Sequence, residues 1–163
     1  MLAKEIRKYI IDPVLAECGW ADDSSRILVY GTGYVETAYA AIMQIGAPVN
    51  GGVGFYQCQP SDYDDISVWL KNNSFNRTLL ANILNACDYS FLPHGVSAII
   101  RNIAFATLIC RVHYHRMPEL LPSSNDAKGF AEYHKKFYNG GTLGKADVNK
   151  NTGIFERIIN DEI

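Results

Sequence analysis

The chain has 163 residues and a mass of 18.2 kDa, a size that fits one domain and leaves no room for two separate cores. Hydrophobic residues make up 48% of the chain and charged residues 20%, which is too apolar for a disordered protein. Fifteen basic side chains against 17 acidic ones leave a net charge of −2, so we expect no nucleic-acid partner. We predict a single globular domain over residues 1–163.

The ends and apolar stretches of the chain indicate where the protein is made. Charges interrupt the apolar positions at the N-terminus and no small-residue cleavage site follows, so we expect no signal peptide and synthesis in the cytoplasm. Residues 96–112 form the most apolar stretch, but Arg101 and Arg111 lie within it, and we predict no membrane span. Four widely spaced cysteines without a C-x-x-C pair are typical of buried thiols in a reducing compartment: Cys18, Cys58, Cys87 and Cys110.

Apolar residues at steps of three and four predict helices in the first part of the chain. The first helix is predicted over residues 2–18, with a kink at Pro13. Residues 22–25 offer N-cap oxygens for a second helix, predicted from about Arg26 to Ile45 and ended by Gly46. Residues 46–59 contain four glycines and a proline, which predicts an irregular loop or a short β-ribbon.

Five further helices follow in the predicted fold. They are expected to start at Pro60, Ser74, Val96, Asp126 and Val148. Ser61 and Asp64 have the spacing of a capping box in the first of these helices. The helix from Val96 to about residue 116 is apolar around more than half of its circumference, as expected of a central buried helix. The sequence therefore predicts a mostly α fold of about seven helices, with one glycine-rich loop or short β-ribbon.

One carboxylate lies in an apolar stripe of the second predicted helix. The stripe follows steps of four and three and consists of Val29, Gly33, Glu36, Ala40 and Met43. Burial without a cationic partner favours the protonated form of a carboxyl group, which is the form that general-acid chemistry requires. The alternative is that Glu36 lies at the rim of the stripe, where it is solvated or pairs with an arginine.

The same segment has a pattern that occurs in dinucleotide-binding proteins. Residues 27–33 (ILVYGTG) have the form of a buried strand that enters a glycine-rich turn. However, Glu36 stands where the third glycine belongs, and no βαβ alternation or acidic strand end follows about 20 residues later. We therefore disfavour a nucleotide-binding function.

Three short motifs resemble those of the soluble lytic transglycosylase and goose-type lysozyme superfamily. They are Glu36-Thr37, the stretch with Gly46-Ala47 and residues 54–61 (GFYQCQPS), and residues 137–141 (FYNGG). The resemblance covers about residues 30–141 and extends to small phage-encoded proteins of this type, whose chain end is similar to Gly144-Lys145 here. Two positions depart from the family pattern, which has a serine at position 37 and an alanine at position 140.

The resemblance implies a role for each matching residue. Glu36 would be the catalytic acid and base, and Gly54, Tyr56 and Gln57 would form a wall of the sugar cleft. Tyr138 and Asn139 would contact the substrate. Structural roles are the alternatives: Gln57 can bond the backbone across its loop, Tyr138 can be a core residue, and Asn139 can end a helix.

A single glutamate suffices for the transglycosylase reaction. It protonates the glycosidic oxygen and then takes a proton from the 6-hydroxyl of the sugar, which closes an anhydro ring. A hydrolytic variant needs a base for water, and Asp62, Asp64 and Asp65 are available, but helix N-terminal electrostatics explains these aspartates better. Cys110, His113 and His115 do not complete a metal site, so we predict no metal and no cofactor.

The resemblance implies a phage-type enzyme that cleaves the bond between N-acetylmuramic acid and N-acetylglucosamine in peptidoglycan. Its partners would be the glycan strands, and it would act at the host cell envelope either as a free lysis enzyme or as part of the virion. The alternative is a structural, tail or ejection protein of the virion, which binds other virion proteins and has little or no activity on the same scaffold.

Overall fold

A computed structural model describes residues 2–43, 51–140 and 146–163, and most of these residues are helical. The α-helices are α1 (Leu2–Ile6), α2 (Asp12–Glu17), α3 (Asp23–Thr37), α4 (Pro60–Lys71), α5 (Ser74–Ala86), α6 (Ser97–Arg101), α7 (Ile103–His115), α8 (Ala127–Phe137) and α9 (Val148–Ile159). The predicted mostly α fold is confirmed. Within the described ranges, no helix is long and apolar enough to cross a bilayer.

The N-terminal helix is continuous but locally widened. A π-helical turn over Arg7–Ile11 joins α1 to α2, and the N–H of Asp12 donates to the carbonyl of Arg7. Pro13 follows directly and lacks the N–H that would bond the carbonyl of Tyr9. The disturbance that Pro13 predicts is therefore accommodated as a π turn.

Helix α7 lies at the centre of the core. All ten residues from Phe105 to Tyr114 are buried, and α7 contacts α2, α3, α4 and α5. The prediction of one helix over residues 96–116 is wrong, because Asn102 is extended (φ −129°, ψ 104°) and separates α6 from α7. The side-chain oxygen of Asn102 accepts a hydrogen bond from the N–H of Phe105 at 3.0 Å, so this residue begins a new helix instead of continuing the old one.

Two predicted N-caps are present. Asp22 accepts from the N–H of Ser25 at 2.8 Å and begins α3, and Asp126 accepts from the N–H of Gly129 at 2.8 Å and begins α8. These bonds satisfy backbone donors that the first turn of a helix leaves unpaired. The predicted last helix from Val148 is also present as α9.

Two other predicted caps are wrong. Helix α4 begins at Pro60 after Gln59, so Ser61 lies inside the helix and cannot form a capping box with Asp64. Proline at the first helical position has no N–H to satisfy and a backbone already suited to the helix. Helix α5 is capped one residue before the predicted Ser74, because Asn73 accepts from the N–H of Asn76 at 2.9 Å.

The four cysteines are free and buried, as predicted. Burial raises the pKa of the Cys18 thiol to about 11 and the pKa values of Cys58 and Cys87 to about 12. These thiols are therefore neutral at physiological pH and pack as small apolar side chains.

Candidate functional site

Helix α3 ends eight residues earlier than the sequence predicts. The predicted end at Ile45 is wrong because Ala38 and Tyr39 adopt left-handed backbone conformations (φ 49° and 57°) and reverse the chain after Thr37. The hydroxyl of Tyr39 donates to the carbonyl of Tyr30 at 3.0 Å, and the two rings stack with centroids 5.4 Å apart. This packing offsets the strain of two consecutive left-handed residues.

The two glycines of the 27–33 segment lie inside α3 and serve helix packing. Gly31 faces the ring of Phe155 on α9, and Gly33 faces the ring of Tyr39, so that a Cβ at either position would overlap the ring. Both glycines are buried. This segment is helical, so it does not have the strand-and-turn geometry of a dinucleotide site.

Glu36 lies in the last turn of α3 and contacts a histidine of α8. The Nε2 atom of His134 is 3.0 Å from Oε1 of Glu36. The His134 side chain is completely buried, whereas the Glu36 side chain is 15% exposed. Ala40 and Met43 of the predicted stripe lie beyond the end of the helix. Glu36 therefore occupies the rim of the core, as the alternative interpretation holds, but its partner is a histidine instead of an arginine.

The ring of His134 is held by an aromatic neighbour. It stacks on Tyr138, one helical turn later, with centroids 5.7 Å apart and planes 24° from parallel. Its Nδ1 atom is buried and has no hydrogen-bond partner among the described residues. The only polar contact of this imidazole within that part of the chain is the bond to Glu36. It has two possible directions: a protonated Nε2 donates to the carboxylate, or a protonated Glu36 donates to a bare Nε2.

The segment after residue 50 forms a tight turn beside Glu36. Val53 and Cys58 exchange two backbone hydrogen bonds of 3.0 and 2.9 Å, and the N–H of Gly54 donates to the carbonyl of Ile42 at 2.8 Å. These contacts are isolated bridges, and no β-strand occurs in the described ranges. The first part of the predicted loop or ribbon, including Gly46, lies outside the described residues.

A threonine links this turn to the end of α3. The hydroxyl of Thr37 donates to the carbonyl of Phe55 at 2.9 Å and also contacts the carbonyl of Gly33 at 3.2 Å. This hydroxyl holds the turn against the helix next to Glu36.

Gly54 and Gln57 have conformations that the turn requires. Gly54 has a φ of 71°, and a Cβ there would press against the side chain of Ile99. Gln57 has a φ of 48°, and its Nε2 atom donates to the carbonyl of Gly54 at 2.8 Å. Gln57 therefore has the structural role given as the alternative, a bond to the backbone across its own loop. Its half-buried side chain also lines a cleft.

Tyr56 and Tyr138 lie behind the cleft. Tyr56 is 1% exposed, and its hydroxyl is 2.9 Å from that of Thr107. The hydroxyl of Tyr138 donates to the carbonyl of Tyr56 at 2.7 Å, and burial raises the pKa of Tyr138 well above its usual range. Direct substrate contact by the Tyr56 side chain does not fit this placement, because the ring is enclosed by the core.

The cleft beside Glu36 has a volume of about 570 Å³. It lies between the end of α3, the residues that follow it, the 54–57 turn and the first turns of α9. Its lining includes Tyr34, Glu36, Met43, Gln57, Lys150 and Ile154. A volume of this size is in the range of sites that hold small organic ligands.

A second cavity of about 670 Å³ lies at the opposite end of α3 and α9. Two ion pairs lie in it, since Lys4 is 3.4 Å from Asp161 and Arg7 is 3.6 Å from Asp12, and its other charged lining residues are Lys8 and Asp23. The cleft beside Glu36 is the better candidate site. Its carboxyl group can contact a ligand, while the buried His134 holds that group in place. No group of metal-ligating side chains large enough for a metal ion occurs among the described residues.

The predicted site residues are thus only partly brought together. Glu36 and Gln57 share the cleft, whereas Gly54, Tyr56 and Tyr138 support it from behind. Asn139 is half-buried, and its N–H donates to the carbonyl of His134 at 3.1 Å, which is a helix-ending role. The predicted motif residues Ala47, Gly141, Gly144 and Lys145 lie outside the described residues.

Two residues of the site escaped the sequence analysis. His134 lies four positions before Tyr138 and so on the same face of α8, which is the one sequence signal that connects it to a predicted site residue. Lys150 lines the cleft with Glu36, although no motif in the sequence marks it. Neither placement follows from local sequence, since both depend on how α8 and α9 pack on α3.

No protein-family model, curated protein or solved structure matches this chain.

Proposed function

We propose that the protein cleaves glycosidic bonds in peptidoglycan glycan strands, with Glu36 as general acid and then general base. The observation that carries the proposal is the carboxyl group of Glu36, which lies in a cleft of about 570 Å³ and is held from the core side by the buried His134. A carboxyl group at such a boundary can exchange a proton with a ligand while its orientation stays fixed.

The reaction needs one acid in the cleft. Glu36 donates its proton to the glycosidic oxygen as the bond from that oxygen to C1 breaks. The 6-hydroxyl oxygen of the same sugar then attacks C1, and its proton passes to the Glu36 carboxylate. The glutamate is protonated again, no water is consumed, and the product carries an anhydro ring.

The lining of the cleft favours this route over hydrolysis. Glu36 is the only carboxylate among the described residues that line the cleft. Asp64 and Asp65, which are candidates for a hydrolytic base, are exposed on α4, and Asp62 is not part of the lining either. Among the described residues that line the cleft, none supplies the second carboxylate that would act as the base in hydrolysis.

His134 acts on the reaction only through Glu36. Its side chain has no exposed surface, so it cannot touch a glycan. Its hydrogen bond fixes one carboxyl oxygen, which reduces the number of orientations that Glu36 can adopt at the cleft. We assign it the role of a positioning residue.

The test is digestion of purified peptidoglycan by the wild-type protein and by Glu36→Gln. Glutamine keeps the size of the side chain and can still bond His134, but it cannot donate or accept a proton as an acid does. We expect release of soluble fragments to fall at least about 100-fold. Glu156→Gln is the matched control, because Glu156 is exposed on α9 and lies outside the cleft.

Two readouts decide the result. Unfolding curves establish that both variants fold, and the mass of the products distinguishes anhydro fragments, which are lighter by one water, from hydrolytic ones. Equal release by wild type and Glu36→Gln contradicts the assignment of Glu36. If the wild-type protein releases no fragments, the enzymatic proposal fails and a structural role in the virion takes its place.

A further inference from the structure

We infer that Lys150 is a specificity-determining residue, which selects glycan that carries a carboxylate beside the bond to be cleaved. The inference rests on the proposed function and adds to it the charge of the preferred substrate. Lys150 and Glu36 line the same cleft, and they are its only charged lining residues in the part of the chain that the structure describes.

The packing of α9 on α3 brings this lysine to the cleft. The ring of Phe155 packs on Gly31, midway along α3. The cleft contains the last turn of α3 and the first turns of α9, while the second cavity contains the first turn of α3 and the last turn of α9. The two helices therefore run in opposite directions, and the first turn of α9 lies beside the end of α3 that carries Glu36.

The local structure of α9 does not account for a lysine at this position. Lys150 lies in the first turn, where its N–H donates to the N-cap residue Asp147 at 3.2 Å. A cation in the first turn of a helix opposes the helix dipole, which favours anions there. A stabilising role within the helix would call for an acidic residue instead.

The ammonium group of Lys150 is also unpaired within the described ranges. No described carboxylate lies within ion-pair distance of Lys150, and among the described lysines without an ion pair only Lys150 lines the cleft with Glu36. The Lys150 side chain is exposed at the cleft. An incoming carboxylate would therefore find a cation that no other described group neutralises.

A carboxylate on the ligand suits this cleft because the cleft presents the ammonium group of Lys150 beside the carboxyl group of Glu36. Glu36 is a carboxylate once it has given its proton to the glycosidic oxygen, and a negative substituent on the adjoining sugar would then repel it unless a cation compensates. The carboxylate has two sources in peptidoglycan: the lactyl ether of muramic acid in peptide-free strands, and the stem peptides in substituted strands. A neutral N-acetylglucosamine oligomer has neither.

The experiment measures binding in the Glu36→Gln background, so that it does not depend on cleavage. Three ligands of equal sugar number are compared by calorimetry: a neutral N-acetylglucosamine oligomer, a peptide-free peptidoglycan fragment, and a fragment with stem peptides. Lys150→Glu is compared with Lys135→Glu, which makes the same change in net charge at an exposed residue of α8 that lies outside the cleft.

We expect Lys150→Glu to weaken binding of the carboxylate-bearing ligands about tenfold or more. Binding of the neutral oligomer should stay within about twofold of the Lys135→Glu control, because it makes no charge contact. Loss confined to the peptide-free fragment identifies the lactyl carboxylate, and loss confined to the substituted fragment identifies the stem peptide. Lys150→Arg should retain most of the wild-type affinity.

The inference is overturned if Lys150→Glu and Lys135→Glu affect all three ligands equally, or if no ligand binds. The proposed function can fail while this inference holds. In that case the wild-type protein binds these ligands in a Lys150-dependent way but releases no fragments from peptidoglycan.

Discussion

The Nε2 atom of His134 lies 3.0 Å from Oε1 of Glu36, and this contact joins residues that are 98 positions apart in the chain. His134 is completely buried and Glu36 is partly exposed in the cleft, so of the two residues only Glu36 can contact a ligand. The histidine fixes the orientation of Glu36 at the surface but is not itself exposed there. Tertiary packing of α8 against α3 is what creates the pair.

We predict that His134→Ala impairs both the fold and the site. The substitution removes a buried ring and leaves Glu36 without its hydrogen bond, so we expect the free energy of unfolding to fall by about 2–4 kcal/mol. His134→Gln places an amide nitrogen near the position of Nε2 and should lose less stability. Denaturant unfolding measures both effects.

The activity of the same variants tests the positioning role. We expect His134→Gln to retain more cleavage of peptidoglycan than His134→Ala, with a pH profile that differs from that of the wild type because the imidazole is gone. Equal activity of the two variants, with the wild-type pH profile, would indicate that His134 only fills space.

Helical periodicity and capping residues predicted most of the fold because they are local properties. Asp22 and Asp126 cap helices where the sequence indicates, and the mostly α fold follows from the spacing of apolar residues. The end of α3 was missed because nothing local marks it. Ala38 and Tyr39 take left-handed conformations, and the Tyr39 ring packs over Gly33.

The candidate site shows the same division between local and tertiary information. Glu36 was identified because a carboxylate in an apolar stripe is visible from local spacing, even though Ala40 and Met43 of that stripe lie beyond the end of α3. His134 and Lys150 were not, because their roles depend on contacts between helices that are far apart in the chain. Tyr56 was assigned to the substrate from a motif, yet its ring faces the core.

We predict that alanine at Gly31 or at Gly33 destabilises the protein. A Cβ at these positions overlaps the rings of Phe155 and Tyr39 respectively. The cost of such overpacking, about 1–3 kcal/mol, outweighs the helix propensity that alanine gains, about 1 kcal/mol. Denaturant unfolding should show a lower midpoint for each variant.

Gly153 provides the matched control for these substitutions. It lies within α9, and a Cβ there meets no atom within 4 Å. Alanine at position 153 should therefore raise the free energy of unfolding by up to about 1 kcal/mol. Replacing Phe155 with leucine in the Gly31→Ala background should recover part of the loss; destabilisation of the same size at Gly153 would contradict this interpretation.

We predict that Tyr138→Phe lowers stability more than Tyr133→Phe does. The Tyr138 hydroxyl donates to the carbonyl of Tyr56 at 2.7 Å, and removing it leaves that acceptor unpaired, which should cost about 1–2 kcal/mol. The Tyr133 hydroxyl donates to the carbonyl of Glu119 at 2.9 Å, and water can replace it because Glu119 is exposed. Thermal unfolding of the two variants compares them directly, and losses of equal size would count against the buried bond.

We predict that stability falls as the pH drops below about 6.5, and that His113 contributes to the loss. Burial lowers the pKa of His113, although the bond of its Nε2 to the carbonyl of Phe137 at 2.7 Å opposes the shift. Because the folded pKa lies below the unfolded one, the unfolded chain binds the proton more readily. The contribution of His113 is thus fully present above the unfolded pKa and is lost as the pH falls toward the folded one, with a slope of at most about 1.4 kcal/mol per pH unit.

Asp22 acts in a separate pH window, whereas burial also lowers the pKa of His115, which therefore contributes in the same window as His113. Burial opposes ionisation of Asp22, but hydrogen bonds from Ser25 and the charge of Arg111 hold its pKa below the usual range. Its stabilising contribution is therefore lost only below about pH 4, since the folded pKa is depressed. Denaturant unfolding between pH 5 and pH 7.5 should show a smaller slope for His113→Gln than for the wild type, and parallel curves would assign the acid sensitivity to another group.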